Sequence, residues 1–226
     1  MAETKNGTRI LWGAGSSRTM RANWMLQELE LPYEHRPIRS RTGETLTPEY
    51  TRLNPSQKIP TLQDGDFVLT ESAAIVTYLG AMYGAAKNLR PPTAPRERAR
   101  YDQWCFFVMM ELDANALYIL RRHEDLKDVY GEAPNALKTA RDCFARQVNA
   151  AATRLSATGP FTLGESFSGP DILLTTCLVS AIGRKIELPD LLHDYLKRTT
   201  VRDGYKRALE VNRPKPAAPS PPAPSP

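Results

Sequence analysis

The chain has 226 residues, a formal net charge of +5, 41% apolar and 24% charged residues, the proportions of an ordinary globular protein. That length allows one large domain or two small ones, either with a real core. No apolar run approaches the roughly 20 residues of a membrane span, residues 1–7 lack the apolar core of a signal peptide, and basic residues are interleaved with acidic ones. Membrane, secreted and nucleic-acid-binding classes are therefore set aside, and the expected compartment is the cytoplasm. The densest basic patch, Arg96-Glu97-Arg98-Ala99-Arg100, reads as a solvated helix face. The three cysteines, Cys105, Cys143 and Cys177, have no metal spacing and sit in apolar or amphipathic segments, so small buried thiols are expected, with no disulfide framework and no metal site.

In chain order, Arg9-Ile10-Leu11-Trp12 reads as a short strand running into a Gly13–Ser17 loop. From about Thr19 a helical face follows with Ala22, Met25, Leu26 and Leu29, and Pro32 stops it. Residues 33–38 read as a second strand, and Thr47 to Leu53 as helix-prone but broken. Ile59-Pro60-Thr61-Leu62 and Phe67-Val68-Leu69 flank an Asp64-Gly65-Asp66 turn, the pattern of a hairpin. A helix then starts at Ser72, with Ile75, Val76, Leu79, Met82 and Tyr83 on one face. This order closes a small mixed sheet with helices on its faces, over 7–85.

Two features of that unit suggest chemistry. Pro60 removes a ladder donor, and a proline there marks a strand edge or a cis bond, leaving neighbouring backbone free to pair with an extended peptide. The helix start at Ser72 favours an anion, while Glu71 can accept from an ammonium. One small zwitterion suits both.

A proline-bearing linker is expected at 86–95. Beyond it, 96–210 is all helical, with segments at about 96–122, 135–155, 170–183 and 189–208. Ser168-Gly169-Pro170-Asp171 has the form of a helix start, although Asp reaches back less well than Glu. From 211 to 226 the composition is that of a disordered proline-rich tail.

These motifs together resemble the cytosolic glutathione transferases. Asn54-Pro55-Ser56-Gln57-Lys58-Ile59-Pro60 is similar to the family loop before its cis-proline. Glu71-Ser72-Ala73-Ala74-Ile75 resembles its Glu-Ser-x-Ala-Ile segment, and Pro189, Leu192, Tyr195, Arg198 and Arg202 resemble its last-helix pattern. The resemblance implies an α/β thioredoxin-like N-terminal domain plus an all-α C-terminal helical domain, glutathione as co-substrate, a small hydrophobic electrophile as second substrate, and a homodimer. It implies that the Ile59 backbone pairs with the cysteinyl unit beside Pro60, that Gln57 and Lys58 reach the glycine carboxylate, and that Glu71 and Ser72 hold the γ-glutamyl end. Ser16-Ser17-Arg18-Thr19-Met20-Arg21 resembles the Ser-Ser-Cys-x-x-Arg stretch of the zeta class, which makes Ser16 the expected thiol-activating hydroxyl, with Ser17 and Thr19 as alternatives and helix capping as their structural role. Arg18 replaces the Cys of that stretch, and no Cys precedes residue 105, which argues against protein-based thiol–disulfide exchange in this half. A non-catalytic binding module and a glutathione-dependent isomerase are the competing functions. Trp104, Phe107, Met110 and Ala114 could line the substrate wall, but residues at that spacing are more often core.

Overall fold

The computed structural model describes residues 8–213. Its first half is a four-stranded sheet in the order β2 (Glu34–Arg36), β1 (Arg9–Trp12), β3 (Thr61–Asp64), β4 (Phe67–Thr70). β1 runs parallel to β2 and antiparallel to β3, placing Leu11 opposite Leu62. The β3–β4 hairpin pairs Asp64 with Phe67 around Gly65, whose φ of 65° suits the tight turn. Ile59 and Pro60 lie before β3 rather than in it, so the expected strand begins two residues late.

Helix α1 (Ser17–Glu28) begins earlier than its apolar face suggests because Ser16 caps it. The Ser16 Oγ accepts from the Thr19 N–H at 3.1 Å, and the Thr19 hydroxyl oxygen accepts from the Ser16 N–H at 3.1 Å. This reciprocal pair satisfies two orphan donors at the helix start. α2 (Pro48–Leu53) turns the broken segment into a short helix, and α3 (Ser72–Tyr83) follows β4. α1 and α3 pack together, while Trp12, Tyr50 and Ile59 form a small separate cluster.

The segment after α3 is packed down rather than free: Leu89 and Pro91 are buried, and a Cβ on Gly84 would lie 2.7 Å from the Leu89 carbonyl carbon. α4 (Pro95–Phe107) then continues without interruption through a wide-pitched π stretch (Val108–Leu117), a turn of α-helix α5 (Tyr118–Leu120) and a second π stretch (Arg121–Asp125). Next come α6 (Lys127–Tyr130), α7 (Pro134–Thr158) and α8 (Gly169–Gly183). Arg96 to Arg100 are all exposed, as their mixed charge implies. Trp24, Tyr101, Phe144, Phe167 and Tyr195 belong to one core that runs through both halves. Gly169 is required at that junction, where an added Cβ would fall 2.2 Å from the Tyr101 hydroxyl.

The last expected helix, 189–208, is two helices. α9 (Asp190–Thr200) and α10 (Asp203–Asn212) are separated at Val201 and Arg202. Arg202 takes an extended conformation there, and its guanidinium forks onto Glu28 at 2.9 and 2.7 Å. The break turns α10 back against α1, where Gly204 packs directly on the Glu28 side chain. Val211 and Asn212 are helical rather than part of the expected tail, and the remainder of that tail, 214–226, lies outside the described residues.

Asp171 reaches back fully despite its short side chain. Its buried carboxylate accepts from the N–H of Thr162 at 2.8 Å, the N–H and hydroxyl of Ser168 at 2.8 and 2.7 Å, and the Tyr195 hydroxyl at 2.9 Å. Asp171→Ala strands these donors in the core, and urea denaturation should show a loss of about 3 kcal/mol or more. The exposed Asp142→Ala control should change stability by no more than about 0.5 kcal/mol.

Candidate active site

Gly13, with φ +114°, lets the loop after β1 lie flat on the proline turn: a Cβ there would come within 2.6 Å of the Ile59 Cβ and 2.8 Å of the Thr19 Cγ2. The two sequence-predicted segments are therefore in van der Waals contact. The Ile59–Pro60 bond is cis. The carbonyl of Lys58 accepts from the Tyr50 hydroxyl at 2.6 Å and the Asn54 amide at 2.7 Å, so α2 buttresses the turn. Among the described residues, neither the N–H nor the C=O of Ile59 makes a backbone bond, leaving both available to an extended ligand. The Lys58 side chain is exposed, while the Gln57 amide donates to the Thr51 hydroxyl at 3.1 Å.

Glu71 is exposed at the start of α3, with φ 65° and ψ 113°, a conformation rare for a non-glycine residue and common at ligand sites. Ser72 is buried, and its hydroxyl accepts from Arg21 Nη1 at 3.2 Å. Arg21 is itself fully buried. It pairs with Asp113 Oδ2 at 2.8 Å and donates to the Thr176 hydroxyl at 2.8 Å and the Cys177 sulfur at 3.2 Å. Burial pushes this guanidinium towards its neutral form, but Asp113 and then Cys177 more than offset that and hold its pKa above the ordinary arginine value. Arg18 closes on the other oxygen of Asp113 and stacks over Tyr118. The Arg21–Asp113 pair thus joins α1, α3 and two walls of the helical half.

Ser16 and Ser17 open onto a cleft of about 490 Å³ walled by Arg121 and Asp125 on the second π stretch, Val179 and Arg184 on α8 and its C-terminus, and Tyr205 and Leu209 on α10. Thr19 does not reach it: the residue is fully buried, and its hydroxyl donates to Asn212 Oδ1 at 2.6 Å. Asn212 also donates to the Ser16 carbonyl at 3.1 Å, and its own carbonyl accepts from the Gly15 N–H at 2.9 Å. The end of α10 therefore clamps the serine loop, a contact for which the sequence carries no motif. The helical residues named as wall candidates lie elsewhere. Trp104 and Phe107 are core residues, Met110 is exposed and Ala114 half-buried, and none of the four lines this cleft.

Cys105 and Cys177 are buried, and burial pushes both thiols up to about 12, so they are protonated and unreactive at neutral pH. Cys143 is only partly buried. Among the described residues no group of His, Cys, Asp and Glu is arranged to hold a metal ion.

A thioredoxin-like sheet presenting a cis-proline edge, joined to a helical bundle that walls a cleft over paired serines, defines a glutathione-transferase architecture. Comparison with known proteins agrees. The glutathione S-transferase N-terminal domain family matches residues 8–81. The glutathione S-transferase-like protein gedE of Aspergillus terreus is 25% identical across 92% of this chain and 96% of its own length. Glutathione S-transferase theta-1 of Bos taurus is 30% identical over 155 residues, 68% of this chain and 64% of that protein. A theta-class glutathione S-transferase of Xanthomonas axonopodis, solved with glutathione bound, is 29% identical with a TM-score of 0.77, covering 89% of this chain and 97% of that one. Residues 8–81 thus carry the glutathione S-transferase N-terminal domain, and the similarity to glutathione S-transferases in sequence and fold extends over nine-tenths of the chain.

The Asp113 carboxylate is the common counter-ion of two guanidiniums, one of them wholly buried. Asp113→Ala should lower stability by roughly 3–5 kcal/mol, because it leaves Arg21 charged in the core. Asp113→Asn, which keeps an acceptor, should lose less. Urea midpoints at matched slope decide between these outcomes.

Proposed function

We propose that this protein binds glutathione, ionises its thiol and transfers it to an organic electrophile held in the cleft. The observation that carries the reading is the juxtaposition of the unpaired Ile59 backbone with the loop that brings Ser16 and Ser17 to the cleft floor. Ile59, beside Pro60, pairs with the cysteinyl unit. The N-terminal N–H groups of α3 and the Ser72 hydroxyl receive the γ-glutamyl carboxylate, and Glu71 takes its ammonium. Lys58 meets the glycine carboxylate, with Gln57 in a lesser part because its amide is already engaged by Thr51.

Ser16 is the thiol-activating residue in this reading. Capping uses a lone pair of its oxygen; its proton faces the Thr19 hydroxyl oxygen at 3.0 Å and turns from that contact to a bound sulfur. The bond accepted from the Thr19 N–H and the positive end of α1 both make that proton a better donor. A hydroxyl donated to sulfur favours thiolate over thiol and draws the sulfhydryl below its ordinary pKa of about 8.5. Ser17, whose hydroxyl has no hydrogen-bond partner among the described residues, is the second hydroxyl at the floor. The apolar faces of Met20, Val179 and Leu209 suit the body of the electrophile. The thiolate forms the new carbon–sulfur bond, the leaving group departs with its electron pair, and the thiol proton passes to solvent. An isomerase on the same site returns glutathione unchanged, whereas a transferase consumes it.

The exposed apolar side chains Met82, Phe106 and Met110 support assembly as a homodimer. Sedimentation equilibrium at micromolar concentration should give twice the chain mass, and a monomer there removes that part of the proposal.

Calorimetry should show glutathione binding with proton release that S-methylglutathione lacks. Ser16→Gly removes the hydroxyl at a capping cost of only a few tenths of a kcal/mol. It should lower kcat/KM by about 100- to 1000-fold, the scale for loss of one preorganised donor, and move the acid limb of the pH–rate profile upward. The sign follows from the chemistry: activity needs thiolate, so a higher bound-thiol pKa shifts the rise to higher pH. If Ser17→Ala reproduces this and Ser16→Gly does not, the role belongs to Ser17. Proton release unchanged in both variants would refute hydroxyl activation.

A further inference from the structure

Resting on the transferase reading, we infer that the second substrate is an anionic electrophile: an apolar ring or chain carrying a carboxylate or similar group, whose charge is received by Arg121 while its reactive carbon lies over Ser16 and Ser17. The cleft contains three guanidiniums, those of Arg121, Arg184 and Arg213, against the single carboxylate of Asp125. Arg184 is already answered, binding Asp125 at 2.5 Å and Glu124 at 3.1 Å. Glu124 is shared with Arg141, and Asp113 is shared by Arg18 and Arg21. Every acid that these pairs bring to the neighbourhood is thus committed elsewhere.

Arg213 is exposed to solvent, which leaves Arg121 as the unanswered guanidinium that is partly withdrawn from water. It is half-buried and makes no hydrogen bond or ion pair among the described residues. Burial, then Arg41, then Arg18 hold its pKa below the ordinary arginine value, with only weak compensation from Tyr118 and Asp125. Arg41 and Arg18 are held in place by aromatic rings, Arg41 over Tyr130 at 5.4 Å and Arg18 over Tyr118 at 4.5 Å. A partly desolvated guanidinium surrounded by like charge is costly to maintain, and an incoming anion relieves that cost. Its planar fork suits a carboxylate in particular. The apolar residues of the same cleft accept the rest of the molecule, so the charge sets its orientation.

The test compares 4-chloro-3,5-dinitrobenzoate with its neutral carboxamide, each kcat/KM divided by the rate constant for free glutathione. In both, sulfur bonds to the ring carbon and chloride leaves with the electron pair. The wild-type protein should favour the benzoate by at least about tenfold, and Arg121→Gln should cut the benzoate-to-carboxamide ratio by about 10- to 100-fold, the range for a charge-assisted contact. The loss should lie mainly in KM, be partly recovered by Arg121→Lys, and diminish as salt is raised. Arg122→Gln, an exposed neighbour outside the cleft, should alter the ratio by less than about threefold. An equal ratio in wild type and Arg121→Gln overturns the inference.

If neither compound is turned over, the transferase reading fails, and calorimetric titration of the two S-aryl glutathione conjugates decides the anion site separately. Tighter binding of the carboxylated conjugate that is lost in Arg121→Gln upholds it. Equal affinities, or no binding of either, overturn it.

Discussion

The buried guanidinium of Arg21 is the interaction on which the arrangement of this molecule depends. It lies on α1, yet its partners come from α3, the π stretch after α4, and α8, through Ser72, Asp113 and the Thr176–Cys177 pair. A buried ion pair is weak evidence for net stability, because desolvation takes back most of the Coulomb gain. Its effect is on geometry: a planar fork with several donors in use admits few positions of the surrounding helices. The Ser72 hydroxyl receives one of those donors, so the helix start proposed to hold the γ-glutamyl end is aligned from behind by the pair that also fixes the helical half.

A second set of contacts closes the structure from the other end of the chain. Arg202 forks onto Glu28, and Asn212 bonds to Ser16, Thr19 and Gly15. α10 therefore forms one wall of the cleft and also positions the loop on its floor. This coupling means that loosening α10 would disturb both the second-substrate wall and the proposed thiol-activating hydroxyl. On the proposed mechanism the chain's last described helix takes part in the chemistry rather than standing at its margin.

Much of this was legible in the residues. Gln57-Lys58-Ile59-Pro60 and Glu71-Ser72 are local signals, since a proline before a strand and a polar residue at a helix start act on their own backbone. The order of elements along the chain and most of the helices followed for the same reason, whereas the spatial order of the strands did not. The split between α9 and α10 was passed over: Asp203-Gly204 stands just beyond it, but what compensates for the break is the ion pair of Arg202 with Glu28, 174 residues away. The cleft walls were also hidden. Trp104 and Phe107 carry the apolar spacing of a pocket and of a core alike, and here they are core. Asp113 and Arg121 stand in a long helical run where their significance rests on which partners arrive from elsewhere, and a linear pattern does not encode that.

An apparent objection to an anionic second substrate is that the site already holds a thiolate. Two unit charges about 5 Å apart repel by roughly 3 kcal/mol at the effective dielectric of a protein surface, enough to slow attack by about two orders of magnitude. The arrangement of the cleft answers this charge by charge. The N-terminus of α1, capped by Ser16, lies beneath the proposed sulfur, while Arg121 lines the same cleft without a counter-ion of its own. In the proposed complex one positive end would face each negative group, and the unpaired guanidinium of Arg121 would offset the repulsion between thiolate and anion.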